Sequence, residues 1–173
     1  MSKVERIGFD MSDFENIIRN RYSCRRFADR RIEEEKLMKV LEAGRVAPTA
    51  KNSQPQRIYV VESDEGIEKM NALSNCIYGA KTVLAVAVDE TKVFHNLYRD
   101  ADSGDQDASI VATHMMLEAE NLGLATCWLN LFDPEAVKEA FSLGENERVV
   151  LLMPIGYADT CAKPSQRHLD RLP

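Results

Sequence analysis

The stretch "QDASIVATHMMLEAENLGLATCWLNLFDPEAVKEAF", residues 106–141, sets the architecture. Its first half has helical spacing but is apolar around most of its circumference. Ile110, Val111, Met115, Leu117 and Leu122 cannot share one narrow stripe, which predicts a central, buried helix. Met115 and Met116 read as core filler. Gly123 is a helix stop, and "ATCWLNL" behind it predicts a strand. Asp133 then offers an N-cap and Pro134 a first helical position, so a second helix follows at once. A buried helix, a strand and a covering helix in succession imply a layered fold of sheet and helices.

The chain on either side extends the same alternation. "TVLAVAVD" is a continuous apolar run of the kind buried on both sheet faces. "RIYVVES" is a shorter strand. "EEEKLMKVLEAGRV" puts Leu37, Val40, Leu41 and Gly44 on one helical face, and Pro48 is expected to end it. "SDFENIIRNR" opens with Ser12 and Glu15, a capping box. "DEGIEKMNALS" predicts a weak helix, "HNLYRDADSG" a loop, and "RVVLLMPIGY" the last clear strand. The expectation is one domain over residues 1–173, an α+β or α/β sandwich with a small sheet of four or five strands covered by helices.

Composition narrows the function. The 173 residues carry a formal net charge of -6, with 45% apolar and 29% charged residues. An acidic chain lacks the broad excess of Lys and Arg that nucleic-acid or anionic-membrane binding requires. No apolar run approaches the ~20 residues of a bilayer span, and the charged start "MSKVERIGFDMSDF" lacks the apolar centre of a secretory signal. The four cysteines and three histidines are widely spaced, which predicts free thiols, a cytoplasmic setting and no metal site. The fingerprints of a dinucleotide fold, a P-loop and a nucleophile elbow are absent.

Two polar islands remain. "RNRYSCRRF", residues 19–27, gathers four arginines in an acidic chain. Arginines interleaved with Ser23 offer charge-assisted donors to a phosphate. The alternative is a solvated helix end with carboxylate neighbours. "APTAKNSQP", residues 47–55, brackets Thr49, Asn52 and Gln54 between prolines. The amide of Asn52 carries donors and acceptors suited to the edge of a heteroaromatic ring. The alternative there is an ordinary turn-rich loop.

Together, R-x-S-x-R-x-F followed by A-P-T-x-x-N-x-Q-P resembles the nitroreductase family of FMN-dependent oxidoreductases. "EAENLGLATCWLNLFDPEAVKEAF" and "MPIGYA", with a later Pro and Arg, are similar to further segments of that family. The resemblance implies a nitroreductase-like sandwich and an intertwined homodimer with FMN bound at the interface. It implies that Arg21 and Ser23 bind the flavin phosphate and ribityl oxygens, with Tyr22 between them. Arg25 lies near the ribityl chain or the pyrimidine end of the ring, with a possible electrostatic role. Arg26 falls outside the pattern as a surface or dimer charge. Pro48, Thr49, Ala50 and Asn52 reach the flavin of the partner subunit, Gln54 is a structural hydrogen-bonder, and Trp128, Leu129 and Asn130 run by the ring. Arg167 and Arg171 are the two candidates for a C-terminal phosphate contact.

The implied activity is a ping-pong transfer of two electrons from NADH or NADPH to an electron-poor acceptor such as a nitroaromatic or quinone, with the flavin N5 rather than a protein side chain carrying the chemistry. A non-turnover flavoprotein, or a same-fold flavin enzyme of another reaction type, is the alternative. Three departures from the family stand out. Gln56 follows Q-P where an aromatic is usual, residues 89–106 leave little room for a helical lid, and the chain stops at Pro173 where relatives extend a tail.

Overall fold

A computed structural model describes residues 13–172, so the capping-box residue Ser12 lies outside the described residues. In chain order the elements are α1 (Asp13–Asn20), α2 (Glu34–Arg45), β1 (Gln56–Val61), α3 (Asp64–Leu73), β2 (Thr82–Asp89), α4 (Gly104–Asn121), β3 (Ala125–Thr126), α5 (Pro134–Ala140) and β4 (Glu147–Gly156). Single 3-10 turns occur at Ala50–Asn52 and Gln166–Leu169.

The sheet has four strands in the order β1-β2-β4-β3. Every neighbouring pair is antiparallel, which decides for α+β over α/β. β2 lies inside the sheet and is buried along nearly all its length. Its side chains alternate between two apolar layers, as the pleat requires. Leu84, Val86 and Val88 join the layer filled by α2 and α4, while Val83, Ala85 and Ala87 join that of Met70, Ile77 and Val137. The continuous apolar run is therefore a strand covered on both faces.

β3 is shorter than "ATCWLNL" predicts. Ala125 and Thr126 pair with Gly156 and Ile155. Cys127 N–H then donates to Pro154 O at 3.1 Å, but proline has no N–H to return. Pairing resumes only at Leu129 and Leu152.

α4 also departs from expectation. Its buried residues Ala108, Val111, Ala112, Met115 and Ala119 make one stripe, whereas Ile110 is 38% exposed. Small alanines let the helix sit close to the sheet, and one flank of a helix read as central stays open. α2 meets α4 where Gly44 faces Met115, and a Cβ at Gly44 would stand 2.8 Å from Met115 Cγ. α2 ends at Arg45 rather than at Pro48. α5 begins as its sequence dictates: Asp133 accepts from the N–H groups of Glu135 and Ala136, with Pro134 behind it.

Candidate functional site: an arginine-lined cleft and a left-handed loop

The arginine island leaves α1 as an extended segment laid over the sheet edge. Ser23 bridges Thr126 of β3 in parallel, and Phe27 bridges Ala158 beyond β4. Cys24 N–H donates to Thr126 O at 2.9 Å. Cys24 and Phe27 point into the core, and Arg25 and Arg26 stay outside. The buried apolar positions thus pin the segment, and the pinning fixes where its arginines project.

The end of the chain folds back onto the same place. Ser165 caps the 3-10 turn Gln166–Leu169 by accepting from Arg167 N–H. His168 Nε2 lies 3.1 Å from Arg19 O, and its ring meets Tyr22 edge-on with centroids 6.5 Å apart. The result is a cleft of about 390 Å³ lined by Arg21, Tyr22, Ser23, Arg25, Ser165, Arg167, His168 and Arg171.

Its charge is only partly balanced from within: the Glu120 carboxyl feels the Arg21 charge but does not pair with it. Arg26, Arg30, Arg31, Arg45, Arg57 and Arg148 each hold a carboxylate. Among the described residues, no such pair is formed by Arg21, Arg25, Arg167 or Arg171. Arg25 instead donates to Ser23 O at 3.5 Å and Arg171 to Asp170 O at 2.7 Å, both backbone acceptors. Four guanidinium groups that share one cleft with no paired carboxylate among the described residues repel one another, and an anion in the cleft lowers that cost. Arg26, set apart on sequence grounds, pairs with Asp159 at 3.1 Å.

The second island has an unusual backbone. Lys51, Asn52 and Gln54 all have positive φ, at 53°, 54° and 50°. The left-handed region costs an L-residue roughly 1–2 kcal/mol, less for Asn. Such strain persists only where surroundings over-determine it. Asn52 N–H donates to Thr49 O at 2.9 Å, and Gln54 N–H to Thr49 Oγ1 at 3.0 Å. Gln54 Nε2 reaches Asn52 O at 3.4 Å, in keeping with a structural role. The Thr49 hydroxyl accepts from the loop, which leaves its own proton free of that bond. The loop lies at the head of α4, where Ala50 N–H donates to Asp107.

Trp128 and Asn130 line a third place, a cleft of about 510 Å³ shared with Asp105, Ser109 and Arg148. Trp128 Nε1 donates to Asn130 Oδ1 at 2.5 Å, while Leu129 is buried. Nearby Cys127 is also buried, and burial pushes its thiol pKa up, against the reactive thiolate. A single chain therefore unites Arg21, Tyr22, Ser23 and Arg25 with Arg167 and Arg171. It places Pro48, Thr49, Ala50 and Asn52 in a separate loop, and Trp128, Leu129 and Asn130 on a separate edge. Sequence reading passed over Ser165 and His168, because their contacts join positions far apart in the chain.

A small antiparallel sheet lies between two helix-covered apolar layers, with an arginine-lined cleft at its edge. The nitroreductase family pattern matches residues 18–77 and 73–157, and the chain belongs to the nitroreductase family. The fold is similar to a nitroreductase family protein of Clostridium difficile 630, with TM-score 0.87, 39% identity and 94% of each chain covered. An FMN-dependent nitroreductase of Clostridium difficile R20291 superposes with TM-score 0.71 at 25% identity, over 90% of this chain and 96% of that one. A protein of Archaeoglobus fulgidus, provisionally named NADH dehydrogenase/NAD(P)H nitroreductase, is 30% identical over 85% of this chain and 86% of its own length.

Proposed function

We propose that this chain is an FMN-dependent oxidoreductase that carries two electrons from NADH or NADPH to an electron-poor small molecule, such as a nitroaromatic or quinone, in a ping-pong cycle. The observation that carries this reading is the cleft in which Arg21, Arg25, Arg167 and Arg171 converge without a carboxylate partner among the described residues. A flavin phosphate brings close to two negative charges and acceptor oxygens that match guanidinium forks. The Ser23 hydroxyl adds a neutral donor beside them. FMN, once bound, supplies the hydride chemistry.

The protein's share is to bind, orient and balance charge. Arg21 and Ser23 grip the phosphate end, with Arg167 or Arg171 closing over it. Arg25 sets a permanent positive charge beside the ribityl or ring end, where it favours the state carrying the extra electron pair. Thr49 and Asn52 present a hydroxyl and an amide for the ring edge.

Within one chain the loop and the cleft are apart, so the site is completed by a second copy under two-fold symmetry. Exposed apolar side chains on α1, α2 and its C-cap, α4 and the C-terminal stretch support the homodimer. They include Phe14, Ile18, Met38, Val46, Ile110 and Leu169. No helix among the described residues is long and apolar enough to cross a membrane.

The test is to load the purified protein with FMN and mix it with NADH or NADPH under argon. Rapid bleaching of the yellow colour, and its return on adding a nitroarene or quinone, is the expected result. Bound flavin that neither donor bleaches indicates a non-turnover flavoprotein or another reaction. A protein that takes up no FMN overturns the reading altogether.

A further inference from the structure

The geometry points to Asp107 as the positioning residue that fixes the left-handed loop presenting Asn52 to the flavin. This rests on the flavin reading above. Asp107 is only 2% exposed, in the first turn of α4, yet its carboxylate caps no N–H of its own helix. Oδ1 accepts the backbone N–H of Ala50 at 2.8 Å. Oδ2 accepts the hydroxyl of Ser103, itself buried, at 2.6 Å. Ser103 Oγ in turn accepts Phe94 N–H at 3.0 Å, and Ser103 N–H donates to Phe94 O at 2.9 Å. Lys51 closes the circuit with Nζ 4.4 Å above the Phe94 ring.

A buried carboxylate is costly unless each oxygen is satisfied. Here one oxygen is spent on the turn that begins at Ala50 and the other on Ser103, the N-cap of α4. The Ala50 bond falls at the first residue of the 3-10 turn, directly before Lys51 and Asn52. It holds the start of the turn, and the start dictates where the left-handed residues after it point. Asp107 touches no flavin; it acts through Ala50 on Asn52.

The test compares three variants of the FMN-loaded protein by FMN titration and by hydrogen exchange across residues 50–54. Asp107→Ala leaves Ala50 N–H without its charged acceptor and is expected to weaken FMN binding about tenfold, the weight of one such hydrogen bond. It also speeds exchange at Ala50 while β2 and β4 amides keep their protection. Asp107→Asn keeps an oxygen for Ala50 N–H and should stay within about threefold of the parent. Ala50→Pro deletes the donor and sets its ring carbon against Asp107 Oδ1, so it breaks the same contact from the loop side. Proline suits the first position of a turn, and Thr49 at ψ 159° is already extended as a residue before proline must be. Ala50→Pro should match Asp107→Ala in affinity, and reads the same bond if Asp107→Ala does not fold.

Unchanged FMN affinity in both Asp107→Ala and Ala50→Pro overturns the positioning role. So does unchanged exchange at Ala50 in Asp107→Ala, or Asp107→Asn as damaging as Asp107→Ala. A parent protein that binds no FMN at all sinks the flavin reading instead, while Ala50 exchange in Asp107→Ala still judges the anchor.

Discussion

Arg167 and Arg171 were equivalent by sequence, since each is an arginine near the chain end after a proline. The structure separates them. Arg171 also borders a neighbouring groove under α1 and spends a donor on Asp170 O, whereas Arg167 lines the arginine cleft alone. Arg167→Ala is therefore expected to weaken FMN binding more than Arg171→Ala. Arg21→Ala should cost about ten- to a hundredfold, the range of charge-assisted hydrogen bonds. Fluorescence titration with FMN at low salt checks both, and equal losses from the two C-terminal variants would refute the ranking. The R-x-S-x-R pattern was readable because its residues are close in sequence. Ser165 and His168 were not, because only the folded chain brings them to Tyr22 and Arg19. A different residue carries a pH prediction. The Tyr157 hydroxyl donates to Glu33, and Arg30 lies beside it, holding the Glu33 carboxyl down at about 2. A carboxyl depressed on folding contributes stability above its unfolded value, near 4.3, and loses it as pH falls through about 2. Tyr157→Phe should therefore trail the parent most at neutral pH, with the gap narrowing between pH 4 and pH 2. Urea midpoints across that range measure it; a gap independent of pH would remove Glu33 from the explanation.

At the scale of elements, most of the fold was legible from hydrophobic period and stop signals. β2 announced itself by an unbroken apolar run, and α5 by Asp133-Pro134. Two elements differed because pairing and packing partners are not written locally. β3 shrinks because its neighbour offers Pro154 where an N–H is needed. α4 buries a narrow alanine-rich stripe, although its composition looked apolar all round. That stripe explains Gly44 of α2, whose missing side chain makes room for Met115 and Ile58. Gly44→Val places branched carbons against a fully buried Met115 and is expected to destabilise by about 2 kcal/mol, typical of overpacking. In a domain of this size that lowers Tm by about 4–8 °C. Gly44→Ala should lose less, because alanine gains about 1 kcal/mol of helix propensity that offsets the displaced Met115. Thermal unfolding of both decides it: an Ala variant no better than Val would mean the contact, rather than side-chain volume, sets the cost.

For the whole molecule, the decisive fact is a separation. The cationic cleft stands at the sheet edge between α1 and the C-terminal turn, and the loop of Thr49 and Asn52 stands at the head of α4. On the proposed reading neither alone encloses a flavin: the cleft would take its phosphate, and the loop would offer groups to its ring. If one cofactor uses both, two chains must share it, and binding becomes linked to association. Each FMN then stabilises the dimer against dissociation, and each dissociation removes half the contacts of both sites. The overall charge of -6 sharpens the effect, since only the local arginine field draws in a dianion that the rest of the surface repels. Dilution is expected to release FMN and produce monomer in the same concentration range, with excess FMN moving both transitions to lower protein concentration. Raised ionic strength should shift them the other way, because the arginine–phosphate attraction is screened. Size-exclusion chromatography with light scattering and flavin absorbance reads mass and colour together across a dilution series. A peak of monomer mass that keeps its full complement of FMN would show that one chain suffices, and the shared site would have to be abandoned.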